Sequence, residues 1–370
     1  VMIIFYSLVG DALVLFLIGA AIAKSSIRPV LPLIIFMLLR QVLQLFVSFP
    51  IDPKLIWHDP GFYSLFLNYY VQGDFYFSAY IGISILGALE LHHMFHKKWL
   101  TSAIFLNALA LILIDMILRT HYSTDVYTSI VTAVFAYLFM QPLIQPIDHF
   151  LKRLDKLSHV LFLFLICLIT ATIFGSQYYT GLKTIPTCGI KDHLQMFLEP
   201  INDFLRAHPH GGDAMLIIMS GLLDLLFLLL LVDTIITRNI RPFLTLALFF
   251  TLRQTMQLIV ALPLPPHVIW HYPGFPSLTQ NYNIANDLYF SGHAGISLIG
   301  ALELSSFGIR WLTVFGFSVF CFECFMVIAM QIHYTMDVFT AIMTVFCITD
   351  LSCHIAHPIN RFLAKIMKAS

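Results

Sequence analysis

AMLIIMSGLLDLLFLLLLVDTII, residues 214–236, holds two acids and no base in 23 positions. About twenty helical residues cross a roughly 30 Å hydrocarbon core, so a run of this length and character reads as a membrane-spanning helix. Ten further runs qualify as candidates, at 4–23, 30–49, 75–95, 100–118, 126–144, 160–174, 243–262, 288–304, 311–330 and 338–353. They are too long and too unalternating for barrel strands, and a lipid-exposed backbone must satisfy its own polar groups, so each is expected to be a helix. The whole chain agrees: of 370 residues 59% are hydrophobic and 11% charged, against about a quarter charged in a soluble domain. A soluble globular enzyme is excluded. Lys and Arg together number 20, as do Asp and Glu, and no basic stripe is present, so nucleic acid is not an expected partner. The six cysteines imply no disulfide framework, and Cys321-x-x-Cys324, without polar surroundings or a second pair, is not read as a zinc site.

The first and last thirds of the chain superimpose at an offset of 213 residues. Residues 40–74 and 253–287 share 18 identities in 35 positions; unrelated membrane segments of this composition should share about 3. Arg40-Gln-Val-Leu-Gln-Leu returns as Arg253-Gln-Thr-Met-Gln-Leu, and Ile56-Trp-His-Asp-Pro-Gly-Phe as Ile269-Trp-His-Tyr-Pro-Gly-Phe. Asp11 matches Asp224, Glu90 matches Glu303 and, after a one-residue deletion, His121-Tyr-Ser-Thr-Asp125 matches His333-Tyr-Thr-Met-Asp337. The expected fold is therefore an all-α polytopic helical bundle of two parallel five-helix repeats joined by one further span. Residues 1–150 form the first repeat, 151–212 a linker helix with a non-cytoplasmic segment, and 213–370 the second repeat. With that topology 13 of the basic residues fall on one side and 5 on the other, leaving Arg40 and Arg253 inside spans. The richer side is expected to be cytoplasmic and the histidine motifs to face the other side. In the linker, the spacing of Leu194, Phe197, Leu198, Ile201, Phe204 and Leu205 suggests either an amphipathic helix on the membrane surface or a segment packed on the bundle.

The chemistry gathers in the second repeat. Asn286-Asp287-Leu-Tyr289-Phe-Ser291-Gly292-His293 opens one span, and His333-Tyr334-Thr335-Met-Asp337 lies at the junction of the next two. On a helical turn His333 and Asp337 stack, and the carboxylate can hold the imidazole in one tautomer and raise its basicity. That is the pattern of an activated nucleophile or base with its orienting group. Ionisable side chains in a span mark a pathway or a site.

Ser291-Gly292-His293 with His333-x-x-x-Asp337 resembles the paired histidine motifs of the lipid phosphate phosphatase and phosphotransferase superfamily (phosphatidic acid phosphatase type 2). The wording is closest to the sphingomyelin synthase family, through three ordered segments: Arg253-Gln-Thr255-Met256 running to Leu262-Pro263-Leu-Pro265, Asp287 to Ala294, and His333 to Val338. The resemblance implies head-group transfer through a phospho-histidine-type intermediate, with His293, His333 and Asp337 catalytic. His333 would attack phosphorus, Asp337 would orient it, and His293 would protonate the departing diacylglycerol oxygen and then deprotonate the incoming hydroxyl. Arg253, Asp287, Tyr289, Ser291, Gly292 and Tyr334 are the candidate substrate-binding residues, Arg253 for phosphate. No metal or other cofactor is expected. The expected partners are a phosphocholine- or phosphoethanolamine-bearing phospholipid donor and a lipid alcohol acceptor, ceramide or diacylglycerol, with a homodimer left open.

Departures from the family pattern bear on this reading. Thr234 and Val327 stand where the hydrolytic branch of the superfamily carries lysine and arginine, which favours the synthase branch, and Ala294 replaces a threonine. In the first repeat Ser78-Ala79-Tyr80 replaces Ser-Gly-His, so that copy is expected to be catalytically degenerate. Two alternatives stand beside transfer: water as acceptor, giving a lipid phosphatase or phospholipase C, and a non-enzymatic lipid transporter or scaffold. Arg253 is alternatively one half of a structural ion pair. Trp270, Tyr272, Tyr282 and Tyr289 are read either as a cation–π cage or as an interfacial aromatic belt, His58 and His271 as loop-fixing residues, and Glu90 and Glu303 as buried with structural partners.

Overall fold

The computed structural model describes residues 2–24, 26–64, 77–153, 189–280, 282 and 289–369. It is an all-α polytopic membrane protein, whose extended pieces among these residues are two-residue strands at Val47–Ser48 and Lys191–Asp192. Contacts divide the chain into two units, Val1–Lys191 and Asp192–Ser370.

The first unit contains α1 (Met2–Lys24), α2 (Leu31–Phe46), α3 (Ala79–Phe95), α4 (Lys98–Leu118) and α5 (Ser123–Lys152). The second contains two short helices, α6 (His193–Phe197) and α7 (Glu199–Ala207). After them come α8 (Pro209–Thr237), α9 (Arg241–Ile259), α10 (Gly292–Ser306), α11 (Arg310–Ala329) and α12 (Thr335–Ala369). Among the described residues six helices, within α1, α4, α5, α8, α11 and α12, are long and apolar enough to cross a membrane. α2 and α3 are apolar but shorter. The eleven apolar runs thus outnumber the helices that meet both criteria. α10 has 15 residues, about 22 Å, and α9 carries Arg253, Gln254 and Gln257. The run at 160–174 lies outside the described residues.

In each unit one helix touches all the other long ones: α3 meets α1, α2, α4 and α5, and α10 meets α8, α9, α11 and α12. A helix so enclosed needs small residues where its neighbours approach. α10 supplies Gly292, Ala294, Gly295, Gly300 and Ala301, all buried. A methyl on Gly295 would overlap the Phe249 ring of α9, and one on Gly316 of α11 would come within 2.8 Å of the Ala301 Cα. Prolines occupy the first turn of α2 and α9, where a missing N–H costs nothing. His96, Arg119 and Arg238 end α3, α4 and α8 in the left-handed conformation.

The units repeat local geometry as well as sequence. Phe77 and Phe290, each just before the serine that caps the central helix, have φ of 82° and 76°. Their carbonyls accept from Arg40 Nε at 2.8 Å and Arg253 Nε at 3.0 Å. Arg28 pairs with Glu90 in the first unit and Arg241 with Glu303 in the second, the structural partners expected for those glutamates. Ser64 donates to Asp11 and Ser277 to Asp224, both at 2.9 Å.

Candidate active site

Two elements of the second unit deliver the histidines. Ser291 caps α10, its hydroxyl accepting from the Ala294 amide at 3.3 Å, and this cap fixes the first turn on which His293 sits. A bulky residue at positive φ costs about 1–3 kcal/mol. Phe290 is held in that state by the Arg253 guanidinium, which also lies 3.4 Å from where a Gly292 Cβ would stand. A Cβ at 292 would meet that guanidinium at ordinary van der Waals distance, so the turn packs directly on Arg253. The chain leaves α11 through a turn in which the Ile332 and His333 amides both donate to the Val327 carbonyl, at 2.8 and 3.2 Å. It then enters α12 at Thr335.

The imidazoles of His293 and His333 meet edge to face, ring centres 6.2 Å apart. Both residues are buried, at 3% exposure. Asp337, fully buried in the first turn of α12, places Oδ2 3.9 Å from His333 Nδ1 and accepts the Tyr334 amide at 3.0 Å. Its other oxygen has no hydrogen-bond partner among the described residues. That contact exceeds hydrogen-bond length, as catalytic hydrogen bonds often do without substrate, tightening in the reacting complex. Two imidazoles face to edge in a dry site, one backed by a carboxylate, can hold a tetrahedral phosphorus between a nucleophile and a proton donor.

The turn carrying His333 is tied to four other segments. Ile269 N donates to the Met330 carbonyl at 2.9 Å and Tyr334 Oη to the Pro263 carbonyl at 3.1 Å. Gln195 Nε2 donates to the His333 carbonyl at 3.0 Å, and Asn202 Nδ2 to that of Ala329 at 3.1 Å. The Asp192 carboxylate accepts from the Thr335 amide at 2.6 Å and hydroxyl at 2.8 Å while also capping α6 through the Leu194 and Gln195 amides. Burial pushes the Asp192 carboxyl above its ordinary range, a shift these four donors reduce without cancelling. The 192–207 segment is therefore packed on the His333 turn through Asp192, Gln195 and Asn202, with Leu198 and Leu205 buried, while Phe197, Ile201 and Phe204 of its apolar stripe are exposed.

Asp192, Gln195 and Asn202 are absent from the candidates read from sequence. The available signal was the Asp that precedes a helical stretch, an N-cap pattern, but nothing local says that its carboxylate also holds a residue 143 positions away. Asp192→Ala should leave the Thr335 amide and hydroxyl unpaired. The expected cost is about 1–3 kcal/mol of stability, with kcat lowered roughly tenfold at little change in KM. Melting and steady-state turnover check this, and Asp192→Asn should recover part of both.

The other candidates fall as follows. Ser291 and Gly292 form the α10 cap, and Tyr289 is buried beside Phe290. Its carbonyl accepts from Gln257 Nε2 at 3.2 Å, so Tyr289 contributes backbone to the turn. Tyr334 anchors the His333 turn through Pro263. Arg253 supports the Phe290 carbonyl from beneath Gly292. Asp287 lies outside the described residues. Trp270 stands edge-on to His293, ring centres 5.8 Å apart, and packs on Tyr282 at 4.8 Å; Tyr272 meets Tyr282 at 6.1 Å. His271 Nε2 contacts Asp213 Oδ1 at 2.6 Å, a loop-fixing pair. Among the described residues no group of three or more His, Cys, Asp or Glu could hold a metal ion.

The first unit has the same frame with different contents. His121 Nδ1 is 3.8 Å from Asp125 Oδ2. Tyr80, at the position of His293, packs on Tyr6 at 4.8 Å and directs its hydroxyl to Asp11 at 3.4 Å. Asp115, six residues before His121, accepts from Ser78 at 2.9 Å, Thr120 at 2.7 Å and Tyr6 at 3.4 Å.

Residues 285–355 match the family model described as PAP2 superfamily, C-terminal. The matched stretch includes Ser291, Gly292, His293, His333 and Asp337. No curated protein and no solved structure matches the chain.

Proposed function

We propose that this membrane protein of the PAP2 superfamily type transfers a phosphocholine or phosphoethanolamine group from a glycerophospholipid to ceramide or another lipid alcohol. The match over 285–355 supports a lipid phosphatase or phosphotransferase kind of membrane enzyme. The observation that carries the mechanism is the pair of buried imidazoles, His293 and His333, facing each other with Asp337 behind the second.

His333 attacks the phosphorus, and the bond from phosphorus to the diacylglycerol oxygen breaks as His293 gives that oxygen a proton. Asp337 favours the His333 tautomer whose other nitrogen is the nucleophile and stabilises the positive charge the ring acquires. His293, now neutral, takes the proton of the acceptor hydroxyl. The new oxygen–phosphorus bond forms as the phosphorus–nitrogen bond breaks, and both histidines return to their starting states. Arg253 keeps the Ser291-Gly292 turn in place beside the phosphate and adds positive charge to it.

Three features support a lipid alcohol over water as acceptor: burial of both histidines, Thr234 and Val327 in place of the hydrolytic branch's lysine and arginine, and the three-segment resemblance to sphingomyelin synthases. The chain reads as a tandem duplication whose first copy has lost its acid. Tyr80 is turned to Asp11, and Asp115 gathers three hydroxyls where the second unit has Val327. The charge distribution supports a non-cytoplasmic active site.

The test is to incubate the purified chain in mixed micelles with fluorescent ceramide and phosphatidylcholine or phosphatidylethanolamine, and to follow both phospho-ceramide and diacylglycerol. Phospho-ceramide is the expected product. Diacylglycerol alone would replace transfer by hydrolysis, and neither product would leave the transporter reading.

A further inference from the structure

Most buried carboxylates of the second unit have partners. Asp192 holds Thr335, Glu303 holds Arg241, and Asp337 takes the Tyr334 amide; the half-buried Asp224 holds Ser277 and Thr279. Glu323 of α11 differs. It is 0% exposed, and neither carboxylate oxygen has a hydrogen-bond partner among the described residues. A buried carboxylate without a donor is costly, and within a membrane helix such a group marks a site awaiting a ligand.

Helix geometry locates it. α10 and α11 are joined by Phe307, Gly308 and Ile309 and run antiparallel, with Gly316 against Ala301. Seven residues along each helix, roughly 10 Å at 1.5 Å per residue, bring Glu323 level with Ala294, the neighbour of His293. On α10, Gly300 faces Leu226 of α8, and His293, seven residues earlier, shares that face. Val319, one turn before Glu323, packs with Leu226 and Leu304. The carboxylate therefore enters the space between α8, α10 and α11 at the depth of the catalytic imidazole.

Tyr282 borders the same space. Its hydroxyl donates to the Leu216 carbonyl at 3.4 Å. Burial raises its phenol above the ordinary range, Ser220 counters this, and the charges of Asp224 and Glu323 raise it further. Tyr282 also packs on Trp270, which touches His293. From the phosphorus position outward there is thus an indole, a phenol and an unpartnered carboxylate. Aromatic faces and a buried carboxyl without a partner of its own together recognise an ammonium ion, whose arrival supplies the opposite charge that keeps the carboxylate ionised, and in a phosphocholine or phosphoethanolamine the ammonium lies two carbons beyond the phosphate ester.

We propose that Glu323, with Trp270 and Tyr282, forms the subsite for the cationic ammonium of a zwitterionic head group. This rests on the head-group transfer reading and assigns its donor specificity to a residue outside the histidine motifs. A hydroxyl of the acceptor lipid is the rival ligand; the charge of the probe separates the two.

The experiment measures binding, so that it does not depend on turnover. The full chain, in nanodiscs of phosphatidylglycerol, is titrated calorimetrically with hexylphosphocholine and with hexyl 3,3-dimethylbutyl phosphate, in which carbon replaces the ammonium nitrogen. The parent is expected to prefer hexylphosphocholine by roughly tenfold. Glu323→Gln, which keeps shape and removes charge, should bring that ratio near one, and Glu323→Asp should keep part of it. Tyr282→Leu should also reduce the ratio, and serves if Glu323→Gln does not purify as folded protein. A parent that binds both probes equally, or a variant that keeps the tenfold preference, overturns the proposal. A chain that transfers head groups yet shows no charge preference loses this subsite alone. One that shows the preference without transfer keeps the subsite and loses the transferase reading.

Discussion

Phospholipid turnover by His333→Ala is expected to fall at least about 10⁴-fold, the scale set by removing a nucleophile whose partners act only through it. His121→Gln, the corresponding change in the first unit, should leave turnover within about twofold of the parent. Both histidines lie within 4 Å of an aspartate four residues on, so a mere His–Asp pair does not distinguish them. What differs is the opposite wall. The second unit presents His293 at 6.2 Å, whereas the first presents a tyrosine whose hydroxyl is directed to Asp11. Steady-state assays of the two variants side by side check the asymmetry, and equal losses would remove it.

His293→Gln is the second large effect. On a natural phospholipid, whose diacylglycerol oxygen leaves poorly unless protonated, the variant should lose about 10²- to 10⁴-fold. On p-nitrophenyl phosphocholine the leaving group needs no proton. There the first step should survive, giving a burst of nitrophenolate stoichiometric with the chain, followed by a slow phase in which the acceptor is no longer deprotonated. Equal losses on both substrates would assign His293 a structural role. Rapid-quench measurement of the burst decides between them.

The sequence made the helical membrane fold legible because apolar runs such as 214–236 leave no other way to satisfy a backbone in lipid. It was less informative about which runs are long enough to cross. α10 is apolar and helical yet only 15 residues long; its character comes from enclosure by four other helices, which composition cannot separate from immersion in lipid. At the site, Ser291-Gly292-His293 and His333-x-x-x-Asp337 could be singled out because each is local, four residues or fewer apart. That the two segments meet is a tertiary fact, carried by the Ser291 amide, which donates to the Asp337 carbonyl at 3.3 Å, and by the contact of the two imidazoles.

The contributions of Asp192 and Glu323 were not legible for opposite reasons. Asp192 acts on a residue 143 positions away, beyond any spacing rule. Glu323 stands in an apolar helix with no neighbouring motif, and only its burial without a partner singles it out. Arg253 was read as a phosphate ligand or an ion-pair partner. What the sequence did not announce is that its Nε bonds a backbone carbonyl, that of the positive-φ Phe290.

The central claim is that His333 carries the head group covalently between donor and acceptor. Its most direct test is to mix the His293→Gln chain with p-nitrophenyl phosphocholine labelled in its phosphate, quench within the burst in base, and locate the label by peptide mapping. Phosphorus–nitrogen bonds of this kind survive base and break in acid. The account predicts base-stable, acid-labile phosphocholine on the peptide holding His333, and none in His333→Ala. A His333→Ala chain that still turns over phospholipid, or label on any other residue, would contradict it.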